Sequence, residues 1–194
     1  MFSGIIAGQG TIVENNLATH RFAVKSKIFS DRTVSLGASI AIDGVCLTVV
    51  ACDHDCITFD LGEETKEVTQ LAKLSLDSLV NIEFSLRYGD EISGHLVQGH
   101  VDGVVSLIKR SSLASNLVLQ FSYPTHLKSL LVKKGSLALN GVSLTINELD
   151  YESFSVCLLP YTLELTNLGR LKIGQKAHIE VDILGRYIAR MLSN

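Results

Sequence analysis

Short runs of alternating apolar and polar residues follow one another along the chain, separated by glycine, asparagine and aspartate. Alternation with a period of two gives a strand one apolar and one polar face. In the first half this pattern predicts six strands, over residues 2–13, 21–27, 37–42, 45–51, 56–61 and 80–86. Six short antiparallel strands of this kind close into a small barrel, because closure removes exposed strand edges.

The second half repeats the first. The segment Gly37–Val49 reappears 97 residues later as Lys134–Ile146, and residues 81–84 reappear at the same offset. Near the N-terminus, residues 3–8 resemble a segment 95 residues later, so the second half carries about two extra residues before Ser136. The sequence therefore predicts an all-β chain of two homologous barrels, residues 1–95 and 96–194.

The dipeptides Asp43-Gly44 and Asn140-Gly141 lie at matched places between apolar runs. Both residues of such a pair accept a positive φ, which makes them a strong signal for a two-residue hairpin. Short helices are expected over residues 67–72 and 164–169.

The end of the chain follows a helical spacing. Asp182 can cap a helix over residues 183–192, and its apolar side chains share one face: Ile183, Leu184, Tyr187, Ile188, Met191 and Leu192. Two alternatives remain for this face: it packs on its own barrel, or it joins copies from other subunits.

Composition narrows the function classes. The formal net charge is -3 and no Lys/Arg run is present, so we expect no nucleic-acid partner. No apolar run has the length of a membrane span, and the first residues do not read as a signal peptide. With only four cysteines, we expect no disulfide framework and a cytoplasmic protein.

Two polar clusters suggest chemistry. Residues 52–56 combine two cysteines with His54, but they lie in a predicted hairpin turn, and we interpret them as a solvated turn rather than a metal site. His95 and His100 are five residues apart, which places them on opposite faces of a strand. His100 is the stronger candidate because it lies among Gly99, Asp102 and Gly103.

The most informative positions are matched between the repeats. Thr48 and Thr145 correspond, as do Ser39 and Ser136, which suggests that both barrels bind the same kind of polar small molecule. Cys46 in the first repeat corresponds to Ser143 in the second. If the molecules bound at two copies of one site react with each other, the two sites need different roles. The difference between the Cys46 thiol and the Ser143 hydroxyl is one way to make the sites different.

These motifs resemble the α-chain type of riboflavin synthase. The resemblance rests on the opening Met-Phe-Ser-Gly-Ile-Ile, the two Asx-Gly-Val-(Cys/Ser)-Leu-Thr hairpins, and the segments 94–103 and 158–169. It covers essentially the whole chain. The first repeat departs from the family at Lys66–Ala72, and Ser93 and Tyr161 also replace more usual residues.

The resemblance implies two Greek-key, lumazine-binding barrels followed by a helix that assembles a homotrimer. It implies a transferase that converts two molecules of 6,7-dimethyl-8-ribityllumazine into riboflavin and 5-amino-6-ribitylaminouracil, without metal or cofactor. Active sites would form between neighbouring chains. Whether the chain also associates with lumazine synthase is left open.

Carried over by position, the resemblance implies substrate-binding residues in two groups. The first group is Gly4, Ile5, Ile6, Ser39, Cys46, Leu47, Thr48, Asp60, Leu61, Gly62, Glu63, Glu64 and Thr65. The second group is Gly99, His100, Val101, Lys134, Ser143, Leu144, Thr145, Cys157, Leu158, Leu159, Pro160, Tyr161 and Thr162. The candidate catalytic residues are Ser143, Cys46 and His100.

Two alternatives stay open. One is a lumazine- or flavin-binding paralogue of the same fold that carries no activity. The other is the flavin-binding barrel of a reductase, which would need a nucleotide-binding domain; the sequence has no Gly-x-Gly-x-x-Gly after a strand.

Overall fold

Each half of the chain forms a closed, antiparallel barrel of six strands. The computed structural model describes residues 1–192. The first barrel contains β1 (Gly8–Asn16), β2 (Arg21–Lys25), β3 (Ser39–Ile42), β4 (Val45–Asp53), β5 (Cys56–Asp60) and β6 (Leu79–Phe84). Around the barrel the order is β1-β2-β5-β4-β3-β6. Helix α1 (Glu63–Val68) and two 3-10 turns, Lys27–Phe29 and Leu71–Lys73, lie between strands.

The second barrel repeats this topology strand for strand. It contains β7 (Gly103–Leu113), β8 (Asn116–Ser122), β9 (Ser136–Leu139), β10 (Val142–Leu149), β11 (Ser153–Leu158) and β12 (Lys176–Val181), with helix α2 (Pro160–Leu165) and 3-10 turns Thr125–Leu130 and Asn167–Arg170. The two-barrel, all-β prediction is confirmed. The short helices begin about four residues earlier than predicted, and 3-10 turns occupy the rest of the predicted segments.

The irregular features are duplicated as well. The pairing of β4 with β5 shifts between Val49 and Ala51, and the matched pairing in the second barrel shifts between Ile146 and Glu148. Such bulges bend strands and help a sheet to close. Phe22 pairs with Phe59, and Leu119 pairs with Val156, so the two extra residues of the second repeat lie within the β7–β8 hairpin.

The barrels exchange one side chain each. Ile6, which precedes β1, packs in the hydrophobic core of the second barrel. Its counterpart Val101 packs against the core of the first barrel. Between the barrels, Phe2 pairs with Val97 through two backbone hydrogen bonds of 2.7 and 3.1 Å. This pairing explains why β1 begins at Gly8 and not at the predicted residue 2.

The two hairpin turns meet at the centre of the interface. Asp43, Gly44, Asn140 and Gly141 all have positive φ, as the sequence predicts. A Cβ on Gly44 would lie 2.5 Å from the backbone nitrogen of Gly141, and a Cβ on Gly141 would lie 2.8 Å from the backbone nitrogen of Gly44. Glycine is therefore required at both turns, because any side chain would separate the barrels.

A buried polar network surrounds these turns. Asp43 Oδ1 accepts from the backbone of Asn81 at 2.7 Å, and Asn140 Oδ1 accepts from the backbone of His178 at 2.8 Å. In return, Asn81 Nδ2 donates to the Asn140 carbonyl at 2.9 Å, and His178 Nδ1 donates to the Asp43 carbonyl at 2.7 Å. The network follows the repeat symmetry, with Asp43 matched to Asn140 and Asn81 matched to His178.

Burial shifts both titratable members of this network. It lowers the pKa of His178 to about 4 and raises the pKa of Asp43 to about 7. His178 Nε2 accepts from the backbone nitrogen of Gln70 at 2.8 Å. The imidazole therefore carries its proton on Nδ1 and is neutral near pH 7.

Helix α3 (Ile183–Leu192) ends the described chain. Asp182 Oδ1 accepts from the backbone of Leu184 at 3.0 Å, so the predicted cap is present. Gly185 of α3 lies close to Leu130 of the second barrel. Over residues 1–192, the structure holds no helix long and apolar enough to cross a membrane.

Candidate functional site

The outward face of each β-hairpin carries the matched polar residues. In the first barrel, Ser39 pairs with Thr48, and Cys46 pairs with Ala41. Cys46 and Thr48 are partly or fully exposed, whereas Leu47 between them is buried in the core. The pairing of Val49 with Phe59 carries this face towards Asp60 and the start of α1.

The second barrel presents the same face. Ser136 pairs with Thr145 and Ser143 with Ala138, and the pairing of Ile146 with Val156 brings this hairpin beside the end of β11. Beyond β11, the exposed residues Leu159 and Tyr161 lie on either side of Pro160, the first residue of α2. We refer to these surfaces as the first and second ligand faces.

The remaining predicted site residues distribute around these faces. Gly62, Glu63 and Glu64 are exposed, and Thr65 and Thr162 are partly buried. Leu61 and Leu158 point into the barrel cores, and Leu144 packs against the second core. Their side chains contribute to barrel packing. Of the rest, Lys134 and Pro160 are exposed and Cys157 is partly buried.

A loop before each barrel is held by a buried glutamate. Glu83 accepts from the backbone of Ser3 at 2.7 Å and of Gly4 at 3.1 Å. Its counterpart Glu180 accepts from the backbone of Gln98 at 2.7 Å and of Gly99 at 2.9 Å. We call residues 3–7 the first loop and residues 98–102 the second loop.

Each loop lies against the hairpin of the other barrel. The Gly4 carbonyl accepts from the Ser143 backbone at 2.8 Å, and the Gly99 carbonyl accepts from the Cys46 backbone at 3.0 Å. A Cβ at Gly4 would lie 2.6 Å from Ser143 Cβ, and one at Gly99 would lie 2.5 Å from Cys46 Cβ. Glycine is needed at both places because both also have positive φ.

This crossing corrects the grouping expected from the sequence. That grouping placed Gly4, Ile5 and Ile6 with Cys46, but the structure places Gly4 beside Ser143 and Ile6 in the second core. Gly99 lies beside Cys46. Ile5 is 49% exposed. Sequence order assigns a loop to the barrel that follows it, whereas the fold passes each loop across the interface.

One histidine distinguishes the two faces. His95 Nδ1 lies 2.8 Å from Ser143 Oγ, within hydrogen-bond distance. His95 Nε2 is buried without a partner among the described residues. Burial lowers the pKa of His95, against the opposing effect of the Asp182 charge, so the imidazole is neutral near pH 7. Within residues 1–192, no histidine bonds the Cys46 thiol.

The Ser143 site is tightly enclosed. A Cβ at Gly94 would lie 2.9 Å from Ser143 Oγ and 2.1 Å from the Ser3 carbonyl oxygen. His95 donates its backbone N–H to the same Ser3 carbonyl at 3.1 Å. Gly94 and the first loop thus hold the His95 imidazole against the Ser143 hydroxyl.

His100 is placed differently from His95. Its side chain is exposed, and its carbonyl accepts from Arg186 of α3 at 2.8 Å. His95 and His100 lie in an irregular segment and not on a strand. The prediction that they occupy opposite faces of a strand therefore does not hold. The turn at His54 joins β4 and β5, and His54 Nδ1 is 2.8 Å from Ser30 Oγ.

The sequence interpretation ranked His95 below His100 and did not include Glu83 or Glu180 among the candidate site residues. The two glutamates are matched by the repeat offset, and two matched acidic residues on apolar strands are a signal that could have found them. His95 lies in the irregular segment between β6 and β7, outside both barrels. Only the three-dimensional structure brings it to Ser143.

Known proteins resemble this chain over nearly its whole length. The family model for the lumazine binding domain matches residues 3–85 and 98–182. A riboflavin synthase from Brucella abortus (strain 2308) is 36% identical over 98% of each chain. A riboflavin synthase from Bacillus subtilis (strain 168) is 37% identical over 99% of this chain and 90% of the relative.

Solved structures show the same architecture with ligands bound. LumP complexed with 6,7-dimethyl-8-(1'-D-ribityl) lumazine superposes with a TM-score of 0.83, at 25% identity, over 93% of this chain and 99% of LumP. LumP complexed with riboflavin superposes with a TM-score of 0.82 at 26% identity.

Proposed function

Because this chain belongs to the riboflavin synthase family, with the lumazine binding domain present twice, we propose that each ligand face binds one molecule of 6,7-dimethyl-8-ribityllumazine. The reaction is a dismutation. A four-carbon unit passes from one lumazine to the other, giving riboflavin and 5-amino-6-ribitylaminouracil. The observation that carries the proposal is the pair of matched faces, which differ in chemistry at Cys46 and at Ser143 with its His95.

Matched faces explain how one substrate can fill two sites. Ser39 and Thr48 offer hydroxyls in the first barrel, and Ser136 and Thr145 offer them in the second. Holding two identical rings in a fixed relative position turns a bimolecular step into an effectively unimolecular one. Good orientation alone contributes about 7 to 11 kcal/mol to the barrier reduction.

The Ser143–His95 pair supplies the asymmetry that the chemistry needs. The C7 methyl group of the lumazine is acidic, so the reaction requires a group that accepts this proton and donors that stabilise the anion. A neutral imidazole with one nitrogen on the Ser143 hydroxyl and the other unbonded meets this requirement. We therefore assign proton transfer to the second ligand face. At the first ligand face, we expect Cys46 to position the lumazine ring without accepting a proton.

We also propose that α3 assembles the chain into a homotrimer, with each active site between the first barrel of one subunit and the second barrel of its neighbour. The support is the apolar face of α3, which its own barrel does not cover. The exposed fractions are 64% for Leu184, 66% for Tyr187, 56% for Ile188, 76% for Met191 and 81% for Leu192.

We also propose that the protein works in the cytoplasm. All four cysteines are free, which fits the reducing cytoplasm proposed from the sequence. Association with lumazine synthase is a further partner hypothesis that co-sedimentation of the two proteins would test.

The decisive experiment is turnover of the purified protein with the lumazine alone. After dialysis against EDTA, it should consume two lumazines for each riboflavin formed. Equal amounts of riboflavin and 5-amino-6-ribitylaminouracil should appear by chromatography. Tight lumazine binding without any riboflavin would contradict the enzyme assignment and support the paralogue that only carries its ligand.

A further inference from the structure

The second loop is attached to the C-terminal helix through one side chain. Arg186 of α3 donates from Nη2 to the His100 carbonyl at 2.8 Å and to Asp102 Oδ2 at 2.9 Å. Asp102 Oδ2 also accepts from the backbone of Val181 at 2.8 Å. The side chains of Arg186 and Asp102 are 31% and 13% exposed, so this ion pair is largely shielded from water.

The residue whose carbonyl Arg186 bonds, His100, is next in sequence to the residue that contacts the first ligand face. His100 follows Gly99, whose carbonyl accepts from the Cys46 backbone at 3.0 Å and whose N–H donates to Glu180 at 2.9 Å. Arg186 thus holds the outer end of the second loop, while Glu180 and Cys46 hold its inner end. A displacement of the guanidinium would move the backbone that contacts Cys46.

Among residues 1–192, the first loop has no such attachment to a helix. Ala7 occupies the position that matches Asp102, and Gly89 occupies the position that matches Arg186. The backbone bond at the matched position is nevertheless present in both repeats, from Ala7 to Ile82 at 2.9 Å and from Asp102 to Ile179 at 2.8 Å. The barrel fold therefore forms without the Arg186–Asp102 pair, which is an addition to one loop only.

We propose that Arg186 is a positioning residue for the reaction: it fixes the second loop against Cys46 and thereby couples α3, the helix assigned to assembly, to the first ligand face. This inference rests on the proposed function. Arginine suits the role because its planar guanidinium offers several donors in a fixed geometry, whereas a lysine ammonium is a single point charge.

The test uses five variants of the full chain, one of which is the conservative replacement Arg186→Lys. Arg186→Gln and Asp102→Asn each remove the ion pair from one side, and the double variant removes it from both. Arg190→Gln is the matched control, since Arg190 lies one turn further along α3 and is exposed. Single-turnover rate, riboflavin affinity by fluorescence quenching and molar mass by light scattering are measured for each.

We expect both single variants to lower the single-turnover rate roughly 10- to 100-fold, the range that a small misplacement of reacting groups produces. The double variant should lose little more than either single variant, because both remove the same contact. Mass should stay unchanged in Asp102→Asn, which leaves the apolar face of α3 intact. Arg186→Lys should recover only part of the rate.

Near-normal rates in both single variants, or losses that multiply in the double variant, would overturn the positioning role. A loss in Arg190→Gln as large as that in Arg186→Gln would overturn it as well. A wild-type protein that makes no riboflavin would instead refute the proposed function. In that case weaker riboflavin binding confined to the Arg186 and Asp102 variants supports the coupling, and unchanged binding refutes it.

Discussion

The buried network between the barrels predicts an unusual dependence of stability on pH. His178 and Asp43 share one hydrogen bond, and burial shifts their pKa values in opposite directions. The repeat supplies a conservative replacement for each residue, because Asn140 occupies the place of Asp43 and Asn81 occupies the place of His178. Asp43→Asn and His178→Asn should therefore preserve most of the network.

The two residues oppose each other between about pH 4 and 6.5. The pKa of His178 falls from 6.5 to about 4 on folding, so the unfolded chain binds a proton there and stability drops as pH falls through this window. The pKa of Asp43 rises from 3.8 to about 7. In the same window the folded chain binds that proton, so this residue lowers stability as pH rises.

Each effect amounts to about 3 kcal/mol across the window, because a pKa difference of one corresponds to about 1.4 kcal/mol. In the wild-type protein the two contributions nearly cancel. Relative to wild type, Asp43→Asn should gain about 3 kcal/mol of unfolding free energy as pH rises from 4 to 6.5. His178→Asn should lose about as much over the same interval.

Urea unfolding followed by far-ultraviolet circular dichroism measures this directly. The protein concentration is kept constant, since association contributes to apparent stability. The double variant should follow the wild-type pH profile. Parallel profiles for wild type and both single variants would refute the reasoning, as would slopes of the opposite sign.

Two further predictions concern packing and assembly. Gly99→Ala should lower the unfolding free energy by more than Gly89→Ala, because both glycines have positive φ but, of the two, only Gly99 lies against another residue. The positive φ alone costs either alanine about 1 to 2 kcal/mol. Equal losses of unfolding free energy in urea would contradict the contribution of the Gly99 contact. Removing the residues after Asp182 should yield monomers by light scattering, and a truncated protein that stays trimeric would exclude α3 as the assembling element.

The barrels could be predicted because their signals are local and occur twice. Alternation of apolar residues, the two Asx-Gly turns and a constant offset predict the strands, the hairpins and the duplication without any long-range information. The spacing also predicted α3, from Ile183 to Leu192, and its cap at Asp182.

The site could be predicted only in part because its geometry depends on crossings between the barrels. No periodicity in the sequence indicates that Gly4 packs against Ser143, or that Ile6 packs in the core of the second barrel. The Ser143–His95 contact joins residues 48 positions apart across an irregular segment. Hydrophobic patterning does not encode such pairings, so the sequence led to His100 in place of His95.

The central claim is that two equivalent faces carry different chemistry, with proton transfer at Ser143 and His95. Single-turnover kinetics on Ser143→Ala and Cys46→Ser, with ligand affinity measured separately, test it most directly. We predict that Ser143→Ala loses about 10²- to 10⁴-fold in rate, the range for a general acid–base group, with little change in affinity. Cys46→Ser should stay within a few-fold of wild type. Equal losses in both variants, or normal turnover by Ser143→Ala, would contradict the account.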